Sequence, residues 1–224
     1  MTRARALPVV ALLLTGCLGA TTESAAPVDQ TAPGTWSTLA PMPRPRQEVA
    51  VAALDGRVFV VGGFGANLEP VNTVDVFDVA ANRWAARAPF PVPIHHPAAA
   101  TVRGRLFVIG GYTGGRIGWT PEATVWEYDP LGAAWTRRAS MPTARGALAV
   151  AVLNDRIHAL GGAAGGPLGT HEVYDPAAGR WTAANAMPTA RDHLAAVAFQ
   201  GRVWALGGRR SFLGEQYANV EIYD

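Results

Sequence analysis

The chain contains no lysine and has one cysteine, Cys17. All 19 basic residues are arginines, set against 17 acidic residues. Because Arg3 and Arg5 lie in a leader segment that has no acid, the rest of the chain carries 17 residues of each sign. A neutral chain without basic runs does not attract a polyanion, so we predict no nucleic-acid partner. With a single thiol, no disulfide within the chain can contribute to the fold.

Sequence motifs for metals, cofactors and nucleophilic catalysis are missing as well. The five histidines lack the spacing to acids or cysteines that is typical of metal sites, so the sequence predicts no metal. The run Gly62 to Gly65 follows a strand pattern but opens a loop rather than a helix, which excludes a dinucleotide fingerprint. No Gly-x-Ser-x-Gly elbow occurs. We therefore predict no cofactor and no catalytic residue.

What the chain does have is a fourfold internal repeat. Four diglycines are offset from one another by 48, 51 and 46 residues, and four tryptophans keep the same offsets. Each copy has the pattern of three short strands followed by a tryptophan that opens a fourth. A period near ~50 residues with four strands per copy indicates a propeller blade. The markers are Gly62-Gly63, Gly110-Gly111, Gly161-Gly162 and Gly207-Gly208, with Trp36, Trp84, Trp135 and Trp181.

The first two strands of each copy differ in composition. The first strands are rich in alanine, as expected where blades crowd together near the axis. The second strands are almost continuously apolar, which predicts burial on both faces between neighbouring blades. The predicted first strands are Val49–Leu54, Ala98–Val102, Leu148–Leu153 and Leu194–Phe199, and the second strands are Val58–Val61, Leu106–Ile109, Ile157–Leu160 and Val203–Leu206.

These features resemble the kelch family from Trp36 to Asp224. Its marks are the diglycine after the second strand, the tryptophan of the fourth, and a Tyr-Asp pair that closes the third, where Phe77 replaces one tyrosine. The resemblance implies an all-β, kelch-type β-propeller, with four four-stranded blades in this chain. WD-type propellers fit less well, because their Gly-His and Trp-Asp signature is missing and their period is shorter.

The two ends of the repeat region are complementary. Trp36 to Met42 has the pattern of a fourth strand without the first three, and Arg191 to Asp224 supplies three strands without a fourth. One interpretation is that the N-terminal strand completes the last blade and closes the ring. The other is that the chain forms part of a larger ring, since the kelch rings it resembles usually have five to seven blades.

Residues 1–16 have the layout of an export signal, with two arginines followed by an apolar stretch. The run Leu14-Thr15-Gly16-Cys17 resembles a bacterial lipobox, which implies cleavage before Cys17 and acylation of its thiol. Two or more acyl chains give a stable membrane anchor. The alternative is an ordinary signal peptide with an incidental cysteine.

Residues 17–35 follow as a flexible tether rich in Ala, Thr, Ser and Pro, and residues 36–224 form the propeller. Leu18, rather than the aspartate that retains similar lipoproteins at the inner membrane, favours an outer-membrane address. We predict an exported lipoprotein anchored at Cys17, at the outer membrane or in the periplasm or on the cell surface.

Candidate ligand-binding residues lie at two registers of the repeat. Arg46, Arg145 and Arg191 occupy one position in three copies, and ring geometry would place them around a mouth of the central channel. In kelch proteins that bind acidic peptides, arginines at this register bind carboxylates. Alternatively, they pair with backbone carbonyls or neighbouring acids. The second position lies two residues after the arginine. The residue there differs between copies, and His96 and His193 are its binding candidates.

The loops that follow the diglycines also vary in length and character, as binding loops do. We select Arg209 and Arg210 from the last of these loops, because arginine is favoured at binding surfaces. Trp119 is the exposed aromatic candidate in the second loop.

Three functions remain open. The first is a non-catalytic, envelope-anchored propeller that binds a protein or carbohydrate partner through its loops. The second is a sugar-acid mutarotase similar to exported bacterial kelch epimerases of N-acetylneuraminate, for which the register arginines would bind the carboxylate. The third is a truncated gene product without activity. The copper chemistry of galactose oxidase is excluded for the residues present, since its cofactor needs a cysteine and the only one is Cys17.

Overall fold

A computed structural model describes residues 34–115, 118–210 and 214–224. The leader, Cys17 and residues 18–33 of the tether lie outside the described residues, so the predictions made for them stay predictions. The described residues contain strands, turns and loops but no helix, and hence none long and apolar enough to cross a membrane. Residues 34–38 separate from the rest as part of a different unit, and the fold described below is that of Leu39–Asp224.

The described residues form seventeen strands, whose bounds agree with the predicted first and second strands to within one residue. In chain order they are β1 (Ala50–Leu54), β2 (Arg57–Val61), β3 (Val74–Asp78), β4 (Arg83–Ala86), β5 (Ala98–Val102), β6 (Arg105–Ile109), β7 (Tyr112–Thr113), β8 (Thr120–Pro121), β9 (Val125–Asp129), β10 (Ala134–Arg138), β11 (Ala149–Leu153), β12 (Arg156–Leu160), β13 (His171–Asp175), β14 (Arg180–Ala183), β15 (Ala195–Phe199), β16 (Arg202–Leu206) and β17 (Val220–Tyr223).

Four antiparallel sheets, one for each repeat, form the blades of a β-propeller, as predicted. Blade 1 has the order β1-β2-β3-β4, blade 2 the order β5-β6-β9-β10, and blade 3 the order β11-β12-β13-β14. Blade 4 contains β15-β16-β17, and β7 and β8 form a small ribbon in the loop of blade 2. In each blade the chain runs outward from the first strand, so the loops that follow the diglycines gather on one side.

The predicted fourth strand at Trp36–Met42 is not formed. Residues 34–46 contain no strand, the Trp36 side chain is fully exposed, and blade 4 has three strands. The other fourth strands pair with a third strand that ends only a few residues before them. The N-terminal segment would have to pair across nearly the whole chain, which carries a larger loop-closure cost in entropy.

Apolar side chains fill the three spaces between consecutive blades. Phe59 and Val76 of blade 1 share a cluster with Leu106 and Val108 of blade 2, and similar clusters join blades 2 and 3 and blades 3 and 4. The second strands are therefore buried in blades 1 to 3, as predicted. Blade 4 differs, because Leu206 of β16 is partly exposed.

The tryptophans of the fourth strands join neighbouring repeats at the outer rim. The Trp135 ring packs on Tyr128 of its own blade at 4.9 Å and donates its Nε1 hydrogen to the carbonyl of Ala88 in the preceding connection, at 3.2 Å. Trp84 and Trp181 donate to the corresponding carbonyls of the connections before their blades. These contacts explain why the tryptophan recurs together with the aromatic residue of the third strand.

The diglycines bring the backbones of neighbouring blades together. The amide of Gly111 donates to the Arg145 carbonyl of the next blade at 2.9 Å. A Cβ atom on Gly110, whose φ is +60°, would lie 2.5 Å from the same carbonyl oxygen. Gly62 and Gly161 face the next blade in the same way, at 2.6 Å. Only glycine permits this approach, because its backbone adopts positive φ and no side chain collides.

We expect Gly110→Ala to destabilise the propeller more than Gly207→Ala. Gly207 has nearly the same φ, +59°, but the nearest atom to its Cβ position is 3.7 Å away. Both variants carry the cost of a left-handed alanine, about 1–2 kcal/mol, and Gly110→Ala adds an overpacking cost of about 1–3 kcal/mol. Urea unfolding followed by tryptophan fluorescence measures both. Equal losses of unfolding free energy in the two variants would contradict the close contact between blades assigned to Gly110.

Candidate binding site at the axial mouth

The three register arginines lie in the interior of their blades, not at the mouth where the first interpretation placed them. The side chains of Arg46, Arg145 and Arg191 have no exposed surface. Each pairs with an acid on the third strand of its own blade, and each also donates to backbone carbonyls of that blade. The pairs are Arg46–Asp75 at 2.7 Å, Arg145–Glu172 at 2.5 Å and Arg191–Glu221 at 3.3 Å.

Blade 2 replaces this ion pair with an apolar one. Ile94 occupies the arginine position and is fully buried, and Trp126 occupies the position of the acid on β9. Both belong to the cluster between blades 1 and 2. The exchange of both partners together indicates that the register arginine is a packing element. Of the two interpretations, the geometry fits the one in which these arginines pair with backbone carbonyls and neighbouring acids.

Two residues after the position of the register arginine, the backbones of successive blades meet at the axis. The amide of His96 donates to the carbonyl of Glu48 at 2.9 Å, that of Ala147 to His96 at 3.0 Å, and that of His193 to Ala147 at 2.9 Å. All four residues have φ between 51° and 54°. This shared left-handed turn directs equivalent side chains from four blades to one place.

The side chains of Glu48, His96 and His193 converge there. Glu48 Oε2 lies 3.4 Å from His96 Nε2 and 3.9 Å from His193 Nε2, and all three ligand-type atoms lie within 4.8 Å of one another. Of the described residues, these are the ones whose arrangement could hold a metal ion. No metal site was predicted because the histidines lack a ligand spacing to acids or cysteines along the chain, and these three residues come from three different blades.

The second ring nitrogens of these histidines have partners of their own. His96 Nδ1 lies 2.7 Å from His95 Nδ1, and His193 Nδ1 lies 2.5 Å from Asp192 Oδ1. Burial lowers the pKa of His95 to about 4, and burial together with the neighbouring histidines and Arg209 lowers the pKa of His96 to about 3. Both imidazoles are therefore neutral at physiological pH.

Aromatic rings surround this cluster on the loop side. The ring centre of Trp119 lies 4.8 Å from that of His95, 5.4 Å from that of Tyr112 and 6.0 Å from that of Phe64. Trp119 itself is 45% exposed. The axial mouth is defined here as Phe64, His96, Tyr112, Trp119, His193 and Arg209.

Two clefts flank Trp119. One, of about 590 Å³, is lined by Tyr112, Trp119, Arg209 and Arg210 among others. The other, of about 530 Å³, is lined by residues that include Phe64, His96, Trp119 and Arg209. The structure thus brings together His96, His193, Arg209 and Arg210, all of which were selected from the sequence, whereas the side chains of Arg46, Arg145 and Arg191 are buried and paired with acids of their own blades.

Sequence reasoning did not select Phe64, His95, Tyr112 or Asp192. Phe64 and Tyr112 directly follow their diglycines, and Arg209 holds that same position in blade 4. Alignment of the position after the diglycine would have found all three.

The repeat pattern, the four blades and the diglycine seams agree with a comparison against known families. Residues 28–208 match the family model described as the KLHDC2/KLHL20/DRC7 Kelch-repeats domain. The protein belongs to this Kelch-repeat family. No curated protein matches the chain. Kelch domains are generally non-catalytic protein-interaction domains.

We expect Arg145→Met to destabilise this Kelch propeller by about 3–5 kcal/mol, because it leaves the Glu172 carboxylate buried without its partner. Arg103→Met is the control, since the Arg103–Asp155 pair is more than half exposed and should cost at most about 1 kcal/mol. The double variant Arg145→Met/Glu172→Gln should recover part of the loss. Denaturant midpoints compare the variants, and similar values for the two single variants would refute a buried structural pair.

Proposed function

We propose that this Kelch propeller is a non-catalytic binding protein that holds a protein partner at its axial mouth. The observation that carries the proposal is the convergence of aromatic and arginine side chains from three different loops beside Trp119. Protein-binding hot spots are enriched in tryptophan, tyrosine and arginine that lie in or beside pockets. Here one partly exposed tryptophan stands between two clefts, and arginines line their walls.

Rigid support favours binding at this mouth. Phe64 N and Tyr112 N donate to the carbonyls of Gln47 and His95 within their own blades, both at 2.8 Å. The Tyr112 hydroxyl donates to the Ala163 carbonyl of the next blade, also at 2.8 Å. Side chains held in this way lose little conformational entropy on binding, so more of the contact energy is retained as affinity.

The charges of the mouth indicate what the partner presents. Arg209 already pairs with Asp192, at 3.1 Å, whereas Arg210 is exposed on the wall of the larger cleft. A partner segment with an apolar side chain for the Trp119 ring and a carboxylate for Arg210 would match this surface.

The position of the register arginines gives the sugar-acid mutarotase alternative no support. In that alternative, Arg46, Arg145 and Arg191 would bind the carboxylate of the substrate. Their guanidinium groups are buried and paired with acids of their own blades. The proposal therefore rests on the axial mouth and on the interaction role that is general in Kelch domains.

We also propose that a lipid on Cys17 anchors the protein to the cell envelope, with residues 18–35 as the tether. The support is the lipobox-like run before the only cysteine of the chain, after a stretch with the layout of an export signal. A flexible tether of this length extends a few nanometres, at about 5–6 Å times the square root of the residue number. The propeller would then meet partners close to the membrane surface.

We expect Trp119→Ala to abolish partner capture. The full chain carrying Cys17→Ser is immobilised, incubated with envelope extract of the producing organism, and washed, and the retained proteins are identified by mass spectrometry. Leu131→Ala is the control, since Leu131 is an equally apolar but fully exposed turn residue of blade 2. A purified partner should then bind Trp119→Ala at least about 30-fold more weakly, as loss of a hot spot of about 2 kcal/mol implies.

Two outcomes would count against a protein partner at this mouth. One is retention of the same proteins by the parent chain and by Trp119→Ala. The other is binding to a glycan array that Trp119→Ala abolishes, in the absence of any retained protein, which would make the ligand a carbohydrate.

We expect the wild-type chain expressed in a bacterial host to fractionate with membranes and to incorporate a labelled fatty acid. Cys17→Ala should lose the label and leave the membrane fraction, because no other thiol is present. The double variant Cys17→Ala/Ser24→Cys restores a thiol seven residues further along and should stay unlabelled. Labelling of that double variant, or membrane binding of Cys17→Ala, would contradict a lipobox-dependent anchor.

A further inference from the structure

We propose that Glu48, His96 and His193 bind a divalent transition-metal ion on the propeller axis. Zn²⁺ is held by imidazole nitrogen and carboxylate oxygen at about 2.0–2.2 Å, so tetrahedral ligand atoms lie about 3.4 Å apart. Glu48 Oε2 is 3.4 Å from His96 Nε2 and 3.9 Å from His193 Nε2. The three ligand atoms all lie within 4.8 Å of one another, so rotamer changes that draw the two imidazoles together would bring them to coordination distance.

The contact behind the His193 imidazole matches that of a ligand histidine. Metal-bound histidines usually donate from their other ring nitrogen to a carboxylate, a backbone carbonyl or a water, which orients the ring. His193 Nδ1 contacts the Asp192 carboxylate at 2.5 Å, and Asp192 is itself buried. His96 Nδ1 contacts His95 Nδ1 at 2.7 Å. In both cases Nε2 is the atom turned toward Glu48.

The backbone also places the three ligands. They come from equivalent left-handed turns linked by hydrogen bonds from His96 to Glu48, and from His193 through Ala147 to His96. Blade 3 contributes Ala147, which has no ligand atom, so the protein supplies three ligands. A site with three protein ligands keeps a coordination position for water or another molecule, and Glu48 and His96 line the smaller cleft.

Arg209 competes with a metal ion for the ring nitrogen of His193. Its Nη2 lies 2.9 Å from His193 Nε2, the atom that would bind the ion, and its Nε pairs with Asp192. Metal binding therefore requires the guanidinium to move away from His193. Removal of this positive charge should strengthen metal binding, whereas removal of a ligand should weaken it.

The donor set selects the class of ion. Two imidazoles and one carboxylate suit Zn²⁺, Co²⁺, Ni²⁺ and Fe²⁺, whereas Mg²⁺ and Ca²⁺ prefer all-oxygen sites. The inference goes beyond the proposed binding function, because the site needs no partner and its test involves none.

The test measures binding of Zn²⁺ and Mg²⁺ by calorimetry to the metal-stripped full chain carrying Cys17→Ser, which removes the only competing thiol. We expect one Zn²⁺ per chain and no Mg²⁺. His96→Ala, His193→Ala and Glu48→Gln should each weaken Zn²⁺ binding at least about 10-fold, and Asp192→Asn should weaken it by about 10–100-fold, the range for loss of an outer-shell partner. Arg209→Gln should bind Zn²⁺ more tightly.

His158→Gln is the control, because it removes a histidine of blade 3 that pairs with His171 away from the axis. It should bind Zn²⁺ as the parent does. Circular dichroism checks the fold of each variant, and the near-isosteric Glu48→Gln keeps the test decisive if a histidine variant does not fold. A parent chain that binds no Zn²⁺, or a folded Glu48→Gln that binds it as tightly as His158→Gln, would overturn the proposal.

Discussion

The close approach of backbones at the diglycine seams is the constraint on which the rest of the structure depends. The carbonyl of Arg145 reaches the amide of Gly111 because neither glycine of the seam presents a side chain to it. The same carbonyl belongs to the segment that leads to Ala147 at the axis. Each seam therefore determines where the next blade begins and how far its first strand lies from the axis.

The buried arginines stabilise the segment that connects the fourth strand of one blade to the first strand of the next. Arg191 crosses its own blade to the Ala205 carbonyl and the Glu221 carboxylate, and so holds the chain two residues before His193. In blade 2 the apolar contact of Ile94 and Trp126 stabilises the equivalent segment. The position that recurs in the repeat is thus structural, and the position that differs between blades faces the mouth. Recurrence in a repeat protein reflects the shared packing problem, and variation at equivalent positions marks the residues available for function.

The sequence predicts those parts of the fold whose signals are local. β5 was predicted with its observed bounds, because its alanine-rich run ends at the Arg103-Gly104 turn and the apolar run of β6 follows at once. The repeat register made His96 and His193 binding candidates, but it could not predict that their ring nitrogens meet the carboxylate of Glu48. Glu48 and His193 are 145 residues apart, and only the turn of each blade about the axis brings them within 3.9 Å. The pairing of Arg145 with an acid was one of the two interpretations, but the acid itself could not be named, since Glu172 on β13 lies 27 residues away.

The same geometry connects the proposed partner site with the proposed metal site. Arg209 has its Nη2 against the ring nitrogen of His193 and its Nε against Asp192, so in this arrangement a cation already occupies the axial mouth. A divalent ion between Glu48 and the two histidines would release that guanidinium toward the clefts on either side of Trp119, which Arg209 already lines. The mouth would then carry the ion and a released arginine together, and both attract carboxylates. Under both proposals, metal binding would thereby strengthen the preference of the mouth for acidic partner segments.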